Sequence, residues 1–596
     1  MIIADDDLDA LQQCVTSFIQ TVPDYDYELI IINNGCRSPV LEAWFQGLSE
    51  LDPTRFRVLS AQEPQKDAFL FNQAVAIATG DVMLKLDPQL CFEQPHWVGT
   101  LIDHLFRSDV GAVSGKLIKS SGKIYSAGMI MGFHHSAFPV GFNEPVGAQG
   151  YCHRFNLVHA FSTLSGEMLM IKRERLIALG GVDESFDAFQ ESINDLCLQL
   201  GAAGLKNIMT PFAVARIQRE NPSSLHVSDH DRHILYARWL NAIADDPAYH
   251  PHLSLSEHVY RHTEAEIIAG VTHSRKKGQT RSLACLFARP EKAAAAQFIC
   301  NLRMLEHAGE INLTLFTPRL DLIAILREKP QVVILDNACL ACYQELEILR
   351  HYLPDAAFLL FVADTLNIMQ DAHFLQAAPL LNKIILRNKH ADAIPPGFEN
   401  NAIYLADALH PSFAETTVRK ANQQKPRVGL FLNDIQENDW KFLLPVVKEL
   451  ADEMDIIVYG EFPQAIRAVA KEYHRKVNVE KLPQTLCALD LELALFPAVG
   501  DGNDFASGSY MLLAVAATGC NVLCSDVKAY YIDAPVIRLK NKKSLWKYSI
   551  RKMLENRASN YASGLAMREK VLSHSLFDAA AAQQWLTQLD ATIPSR

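Results

Sequence analysis

Apolar runs of strand length alternate with amphipathic helical stretches along most of this chain, and this alternation constrains its fold more than any other feature. Alternating strands and helices predict α/β domains built on largely parallel sheets. The chain has 596 residues, which is too long for a single hydrophobic core. We therefore expect about three or four domains along it.

The charge and hydropathy of the chain argue against nucleic acid as a partner, against a transmembrane helix and against a secretory signal. The net charge is −12, and no basic stretch is large enough to follow a phosphate backbone, so nucleic acid is not expected as a partner. No apolar run reaches the roughly 18 residues of a transmembrane helix. The first seven residues lack the basic and apolar regions of a secretory signal. With scattered cysteines, the chain is predicted to be cytoplasmic.

Two early strands end in polar residues. Residues 28–34 form one apolar run that ends in asparagines, and residues 82–86 form another that ends at Asp87. In open parallel sheets, ligands bind beyond the carboxyl ends of the strands. We therefore expect Asp87 to lie at a strand end and to face the same pocket as Asn33.

Two polar stretches interrupt the alternation later in the chain. Residues 273–282 are basic and contain glycine, which is typical either of a solvated connector or of a contact with anionic lipid at the inner membrane face. Residues 419–426 are a second polar stretch. The predicted organisation is a first domain over 1–262, a linker over 263–281, and Rossmann-like domains over 282–418 and 426–596.

The first of these domains carries a recognisable series of motifs. In order, they are Asn72 to Pro88, Ser165-Gly166, Met170 to Arg173, Gly180 to Glu184, Asp195 to Leu198 and Asp246 to Pro251. This series resembles bacterial family 2 glycosyltransferases, of the kind that build O-antigen and other surface polysaccharides. The resemblance implies a GT-A domain with one mixed, mostly parallel sheet. Only Ile2-Ile3 remains where the family has a full first strand, so we expect the start to be truncated.

The resemblance also implies a chemistry. A sugar leaves a nucleoside diphosphate, a divalent cation (Mn²⁺ or Mg²⁺) offsets the charge on the diphosphate, and a carboxylate deprotonates the acceptor hydroxyl. The implied partners are a nucleotide-sugar donor and a glycan or lipid-linked glycan acceptor. By resemblance, Asn33, Asn72, Asp87 and Gln89 contact the nucleotide-sugar, and Asp87 binds the metal.

The chain departs from the family at several of these positions. Asn33 stands where an aspartate is usual, and Gln89 stands where the metal motif ends in an acid. Ile193 occupies the position of the usual catalytic base, and a side chain of this type cannot accept a proton. Gln218 replaces a common histidine.

The nearest acids to Ile193 are Glu191 and Asp195, and these are the predicted catalytic residues. A helix that begins near Ser192 would place Asp195 in its first turn, where the helix dipole alone explains an acid. Glu191 would then precede the helix and be freer to enter the pocket. It is therefore the preferred base of the two.

Histidines suggest two further sites, each with a simpler explanation. His134-His135 lie in a predicted loop and form either a surface pair or an acceptor contact. His226, His230 and His233 are spaced along one helical face, which fits either a metal site or a solvated helix.

The second half, residues 282–596, resembles the GT-B-like pair of domains that follows a family 2 domain in some bacterial polysaccharide enzymes. Met511 and Ala514 stand where active relatives have a lysine and a glutamate that contact the donor. Neither side chain can bind a diphosphate, so a structural or partner-binding role is expected for this half.

Two functions remain open for the whole chain. The first is an inverting, metal-dependent transferase that extends a surface glycan. The second is a catalytically weakened scaffold that binds glycan or nucleotide. A carboxylate close to Asp87 across the pocket would favour the enzyme, whereas an apolar wall around Ile193 would favour the scaffold.

Overall fold

The structure is a computed structural model of the chain. It describes all residues except 5, 23–24, 37, 134–135, 223–226, 251–252, 256–258, 261–280, 288–292, 317–320, 363–367, 369–370, 388–393, 396, 418–424, 433–440, 461–463, 499–505, 528–529, 532–533 and 594–596, together with the side chains of 293 and 506–508. The chain divides into two compact units. Unit 1 is Met1–Ser274 with Leu322–Arg327, and unit 2 is Arg275–Asp321 with Glu328–Arg596.

Unit 1 contains twelve strands and seven helices among its described residues up to 274. The strands are β1 Ile2–Ala4, β2 Leu29–Asn33, β3 Phe56–Ser60, β4 Val82–Leu86, β5 Leu90–Cys91, β6 Val110–Lys119, β7 Ile124–Ser126, β8 Met129–Phe133, β9 Ser136–Pro139, β10 His159–Phe161, β11 Met168–Lys172 and β12 Lys206–Ile217. The helices are α1 Leu8–Thr21, α2 Pro39–Leu51, α3 Asp67–Ile77, α4 Trp97–Leu105, α5 Arg173–Leu179, α6 Phe189–Ala202 and α7 Asp229–Ala244.

One ten-stranded sheet organises unit 1, in the order β10-β12-β6-β11-β4-β1-β2-β3, with β5 and β7 paired to its members. Four of its strand pairs are parallel and five are antiparallel. The prediction of a mixed sheet with flanking helices is confirmed, but the sheet is not mostly parallel. Two of the five antiparallel pairs arise because β11 runs between β4 and β6 in the opposite direction.

The apolar run of β2 shows why this sequence forms a central strand. Ile30 and Ile32 belong to the hydrophobic core on one face of the sheet. Leu29 and Ile31 belong to the core on the other face. Since successive side chains point to opposite faces, a strand covered on both faces needs continuous rather than alternating apolar residues. The run 29–32 is therefore an internal strand covered on both faces, and its polar end lies at the carboxyl end of the strand.

The beginning of α6 differs from the sequence prediction. The helix begins at Phe189, and not near Ser192, so Glu191 lies inside its first turn. Asp195 lies in the second turn instead of the first. Ala188, the residue before the helix, makes no side-chain cap. Instead, the carboxylate of Asp231 accepts the backbone N–H groups of Asp187 and Ala188 at 2.7 and 2.9 Å.

Unit 2 contains two separate six-stranded sheets. Its strands are β13 Arg281–Leu286, β14 Ile311–Phe316, β15 Val332–Leu335, β16 Ala357–Phe361, β17 Lys383–Leu386, β18 Ala402–Tyr404, β19 Arg427–Leu432, β20 Asp455–Gly460, β21 Glu472–His474, β22 Leu493–Phe496, β23 Asn521–Ser525 and β24 Ile537–Leu539. The helices of the second half are α8 Ala293–His307, α9 Leu322–Glu328 (most of which groups with unit 1), α10 Tyr343–Tyr352, α11 Ala372–Ala377, α12 Ser412–Glu415, α13 Leu444–Glu449, α14 Leu482–Ala488, α15 Ala506–Ala516, α16 Lys543–Glu555, α17 Arg557–Ser575 and α18 Ala579–Asp590.

Both sheets of unit 2 are parallel throughout their described pairs. The strand orders are β14-β13-β15-β16-β17-β18 and β21-β20-β19-β22-β23-β24. The second of these is the doubly wound order in which strands 3, 2, 1 are followed by 4, 5, 6. These sheets confirm the predicted α/β class and the Rossmann-like character of the second half.

The last helix returns to the first sheet of unit 2. Trp585, Leu586 and Leu589 of α18 are buried in the core that covers β13 and β16. The carboxyl-terminal helix α18 therefore packs on the first sheet of unit 2, although it follows the second sheet in the chain. Each sheet itself lies within one of the predicted segments. The predicted boundary between 282–418 and 426–596 stays a prediction.

Some sequence predictions fall on residues that the structure does not describe. They are His134-His135, His226, nearly all of the predicted linker 263–281 and most of the stretch 419–426. His230 and His233 are described, and both are exposed. Asp231 between them is fully buried, so α7 is not solvated at every polar position. Among the described helices, none combines the length and apolar character needed to cross a bilayer.

Candidate functional site

A cavity of about 390 Å³ opens at the carboxyl ends of β1 and β4 in unit 1. Its size is within the range of small-molecule sites. It lies at the sheet edge where the rule for parallel strands places ligands. The charged residues that line it are Asp6, Asp67, Lys85, Asp87, Glu167 and Arg219. We call this cavity the β4 pocket.

A second cavity of about 420 Å³ lies at the ends of β2 and β3. Asn33, Glu42, Gln46, Ser60 and Gln62 contribute its polar lining. The lining of both cavities includes Cys36, so the two are neighbours. We call this one the β2 pocket.

The floor of the β4 pocket carries two acids on adjacent strands. Asp87 follows β4 and is 5% exposed, and Glu167 precedes β11 and is 6% exposed. The backbone N–H of Asp87 donates to the carbonyl of Glu167 at 2.8 Å, which holds the two residues side by side. The prediction that Asp87 lies at a strand end is confirmed, but Asn33 lines the neighbouring β2 pocket and not the same one. Glu167 is a carboxylate near Asp87, although it lies beside Asp87 and not across the pocket as the enzyme hypothesis expected.

Glu167 is held in place by two hydroxyl groups. Tyr125 donates to one carboxylate oxygen at 2.8 Å, and Ser165 donates to the other. Burial and the adjacent Glu167 charge raise the pKa of Tyr125 far above its ordinary value, so the phenol stays a donor. Glu167 therefore presents an oriented carboxylate to the cavity.

Two cations share the pocket with these acids. The guanidinium of Arg219, just beyond β12, lies 3.4 Å from Oδ2 of Asp87. Lys85, the residue before the last of β4, is 8% exposed, and its ammonium lies 5.2 Å from the centre of the Phe189 ring. Asp67 is an exposed residue, yet partial desolvation of its carboxyl raises its pKa. The positive charges of Lys85 and Arg219 oppose this rise in the pKa, and the negative charge of Asp87 adds to it.

The surroundings of Asp87 do not fit the predicted divalent cation. Oδ1 of Asp87 accepts the backbone N–H of Gln89 at 3.0 Å, and Oδ2 faces the positive charge of Arg219. A hard cation needs several oxygen ligands, and a guanidinium at this distance would repel it. Elsewhere in unit 1, Asp187, His230 and Asp231 place potential metal ligands within 4.8 Å of one another. Both oxygens of Asp231 already accept backbone N–H groups, so that group offers at most a partial site.

Asn33 and Asn72 hold the backbone rather than an open cavity. Asn33 lines the β2 pocket, and its amide exchanges two hydrogen bonds with the backbone of Cys36, at 2.9 and 3.1 Å. Asn72 binds the N–H and carbonyl of Val182 and the carboxylate of Glu184. Asn72 lines neither of these two cavities. Their roles in donor binding stay predictions, as does that of Gln89.

The two predicted bases lie within α6 and away from the pocket lining. Glu191 is 1% exposed and accepts hydrogen bonds from Ser136 at 2.7 Å and from Asn194 at 3.0 Å. Burial raises its pKa, and these hydrogen bonds oppose the rise. The expectation that Glu191 precedes the helix and is free to enter the pocket was wrong. Its neighbour Gln190 lines the β4 pocket instead.

Asp195 is equally well satisfied. Its carboxylate accepts hydrogen bonds from the Trp239 indole at 2.7 Å and from Gln199 at 2.6 Å, and it lies 3.4 Å from Arg238. These contacts join α6 to α7. Ile193 between the two acids is fully buried in the hydrophobic core. A catalytic role for Glu191 or Asp195 stays a prediction that these contacts do not support.

The sequence contained signals for the residues that were missed. Lys85 is a lysine inside the otherwise apolar strand 82–86, and a buried charge in a central strand needs a partner. Arg219 directly follows Gln218, a position already noted as altered. Glu167 stands next to Ser165-Gly166 of the recognised series, and only the pairing of β11 with β4 brings it to Asp87.

In unit 2, the positions compared with donor-binding residues are closed. Met511 is 8% exposed and Ala514 is fully buried, both in the core that packs on the second sheet. This agrees with the apolar character expected from the sequence. Neither of these two side chains offers a polar group to a ligand.

Comparison with known proteins agrees with the fold of unit 1. Residues 2–164 match the model of the family described as Glycosyl transferase family 2. An uncharacterized protein of Sinorhizobium fredii, y4gI, is 30% identical over 257 residues, which are 42% of this chain and 28% of that protein. The O-antigen biosynthesis protein RfbC of Myxococcus xanthus is 27% identical over 260 residues, 42% of this chain and 20% of that protein. The chain thus spans less than a third of each of these relatives.

Solved structures with some similarity are also glycosyltransferases or their complexes. Anabaena HepE in complex with UDP and glucose has a TM-score of 0.41 and 11% identity, covering 52% of this chain and all of that one. The mannosyltransferase PcManGT of Pyrobaculum calidifontis, in complex with GDP-Man and Mn²⁺, has a TM-score of 0.28 and 15% identity, covering 41% and 60% of the two chains. Residues 2–164 therefore contain a glycosyl transferase family 2 domain, and unit 1 has the GT-A-like fold that the sequence predicted.

Proposed function

We propose that unit 1 is a glycosyltransferase that moves a sugar from a nucleotide-sugar to a growing surface glycan of the O-antigen type. The observation that carries this proposal is the pair of neighbouring polar cavities at the carboxyl ends of β1 to β4, within a family 2 domain. The nucleoside of the donor would occupy the β2 pocket, and the diphosphate and sugar the β4 pocket. The O-antigen relative supports the class of acceptor, a glycan or lipid-linked glycan, which would bring unit 1 to the inner membrane face.

The proposed reaction forms a bond from an acceptor oxygen to the anomeric carbon and breaks the bond from that carbon to the diphosphate. With attack from the face opposite the leaving group, the configuration inverts. The acceptor hydroxyl must lose a proton to a nearby base. Glu167 is the pocket carboxylate that is oriented by its own hydrogen bonds, so we assign this role to Glu167 in place of Glu191 or Asp195.

The test is a transfer assay on the full chain with a panel of nucleotide-sugars and lipid-linked glycans, with release of the nucleoside diphosphate as the readout. Glu167→Gln is expected to lower kcat by about 100-fold or more while donor affinity stays nearly constant. Glu174→Gln, an exposed acid in the first turn of α5, is the matched control and should be silent. Equal loss from Glu191→Gln and none from Glu167→Gln would return the role to Glu191.

A catalytically weakened scaffold is the second candidate function. The burial of Ile193 in the core, with Glu191 and Asp195 fully engaged in structural contacts, favours it. A scaffold would bind a nucleotide or glycan in these cavities and would show no turnover with any donor of the panel. Binding without turnover, measured by calorimetry on the same samples, would establish this function instead.

A further inference from the structure

Lys85 is the least explained charged residue of the β4 pocket. It is 92% buried, and within the part of the chain that the structure describes its ammonium makes no hydrogen bond or ion pair; it lies over the face of Phe189 and interacts electrostatically with Asp67. The ammonium faces the cavity and not the packed core, and a nearby opposite charge stabilises a cation in such a position. Because Lys85 lines the cavity, the missing partner is expected to be a ligand that carries negative charge.

Arg219 reaches the same cavity from another element. It lies just beyond β12, with its side chain about one third exposed, and its guanidinium faces Asp87. A guanidinium presents several N–H donors in a fixed plane that suits phosphate oxygens as well as carboxylates. Arg219 can therefore keep its contact with Asp87 and still donate to a phosphate group.

The charged residues that line the pocket differ in how deeply they are buried. The two acids at the floor, Asp87 and Glu167, are balanced in number by Lys85 and Arg219. Asp6 and Asp67 are exposed residues of the lining, and partial desolvation raises the pKa of Asp67, which disfavours its charged form. Both oxygens of Glu167 already accept hydroxyl groups. An anion at the floor would thus meet two donors, and α6 begins beside it with the positive end of its dipole.

We propose that Lys85 and Arg219 together hold the diphosphate of the nucleotide donor, and that Arg219 occupies the place beside Asp87 that a divalent cation would otherwise take. Donor binding by unit 1 then requires no divalent metal. This inference rests on the proposed function, since it names the groups that bind the donor of that reaction. Gln89 offers no charge where the resemblance implies an acid, and Arg219 supplies a fixed positive charge beside Asp87.

The experiment measures binding of UDP, GDP and inorganic pyrophosphate to the full chain by calorimetry, in EDTA and in excess Mn²⁺. Pyrophosphate in EDTA probes the anion site alone. We expect binding in EDTA, with a Kd for the nucleotide that Mn²⁺ changes by less than about twofold. Arg219→Met and Lys85→Met should each weaken pyrophosphate binding by about tenfold or more.

Arg216→Met is the matched control. Arg216 lies three residues before Arg219 in β12, but it pairs with Glu93 and does not line the cavity. Its substitution should leave both ligands within about twofold of the parent chain. Arg219 is partly exposed, so Arg219→Met tests the proposal even where a change at buried Lys85 impairs folding.

The outcomes separate this inference from the proposed function. Nucleotide binding that disappears in EDTA and returns with Mn²⁺ would overturn the inference and leave the proposed function standing. Binding in EDTA that survives both Arg219→Met and Lys85→Met would also overturn it, because the anion would then lie elsewhere. Absence of nucleotide and pyrophosphate binding under both conditions would remove the donor site, and with it both proposals.

Discussion

Two groups of acids in unit 1 differ in their surroundings. Asp87 and Glu167 lie at strand ends and line a cavity. Glu191 and Asp195 lie inside α6, and their oxygens bind side chains of the protein. All four residues are nearly buried, so burial does not distinguish the groups. What distinguishes them is whether a ligand can reach the carboxylate, so we expect the first group to take part in the chemistry and the second to be structural.

The largest expected effect is on the structural group. Asp195→Ala should leave the indole N–H of Trp239 and the amide of Gln199 without an acceptor between α6 and α7. We expect the free energy of local opening of α6 to fall by about 2–4 kcal/mol. Hydrogen exchange of the α6 amides in the full chain measures it.

Asp229→Ala is the control for this change, because Asp229 is an exposed aspartate in the first turn of α7. It should leave exchange of the α6 amides unchanged. Protection of α6 that survives Asp195→Ala would mean that Asp195 is not structural, and the contrast with Asp87 would fail.

The second expected effect is the pH dependence that Glu191 contributes. Burial raises its pKa in the folded chain, and the nearby charge of Asp231 acts in the same direction. A folded pKa above the unfolded value means that the folded state binds the proton more tightly. Stability should therefore decrease as the pH rises from the unfolded pKa, about 4.3, through the folded value, and should level off above it. The variant Glu191→Gln should lack this decrease.

Denaturant titrations of both proteins across this pH range provide the measurement, because their difference isolates Glu191 from other titrating groups. Parallel pH profiles for the parent and Glu191→Gln would show that the carboxyl is not held in a desolvated site. Glu191 would then be available for chemistry, which is the opposite of the structural role.

The two groups also differ in how far the sequence could predict them. The strand of Asp87 was predictable, because an apolar run that ends in a polar residue has a local signature. The start of α6 was not, because the two N–H groups just before it, of Asp187 and Ala188, are held by Asp231, more than forty residues later in the chain. Hydrogen bonds supplied by a residue of another helix leave no local sequence signal at Ser192 or Ala188.

The pairing of Glu167 with Asp87 was unpredictable for a related reason. Glu167 and Asp87 are 80 residues apart in the sequence, and this separation does not show that they are neighbours in space. Their proximity depends on the antiparallel register of β11 and β4. Lys85, in contrast, was visible as a lone charge in an apolar strand. The α/β class and the GT-A domain were predictable because many weak motifs agree in order, whereas side-chain roles depend on contacts between distant segments.

A smaller effect is expected when the chemical group is changed. Asp87→Asn keeps the size of the side chain and can still accept the N–H of Gln89. Its ion pair with Arg219 spans 3.4 Å and is partly exposed, so its loss should cost less than about 1 kcal/mol. Thermal unfolding of the full chain measures it. A cost as large as that of Asp195→Ala would place Asp87 in the structural group.

The smallest effect on stability is expected at Lys85. Because its ammonium makes no hydrogen bond or ion pair within the described part of the chain, Lys85→Met removes a charge that stabilises no contact of that kind and keeps the apolar stem against Phe189. We expect a change of at most about 1 kcal/mol, toward greater stability. Lys116→Met is the matched comparison, since Lys116 is buried to a similar degree but donates to the carbonyl of Phe155 at 3.1 Å and to Asn156 at 3.3 Å. Losing these contacts should destabilise the chain. Thermal unfolding of both variants without ligand tests this expectation. If Lys85→Met lowered the melting temperature as much as Lys116→Met, the charge of Lys85 would stabilise the fold, and the contrast between the residues of the β4 pocket and those of α6 would fail.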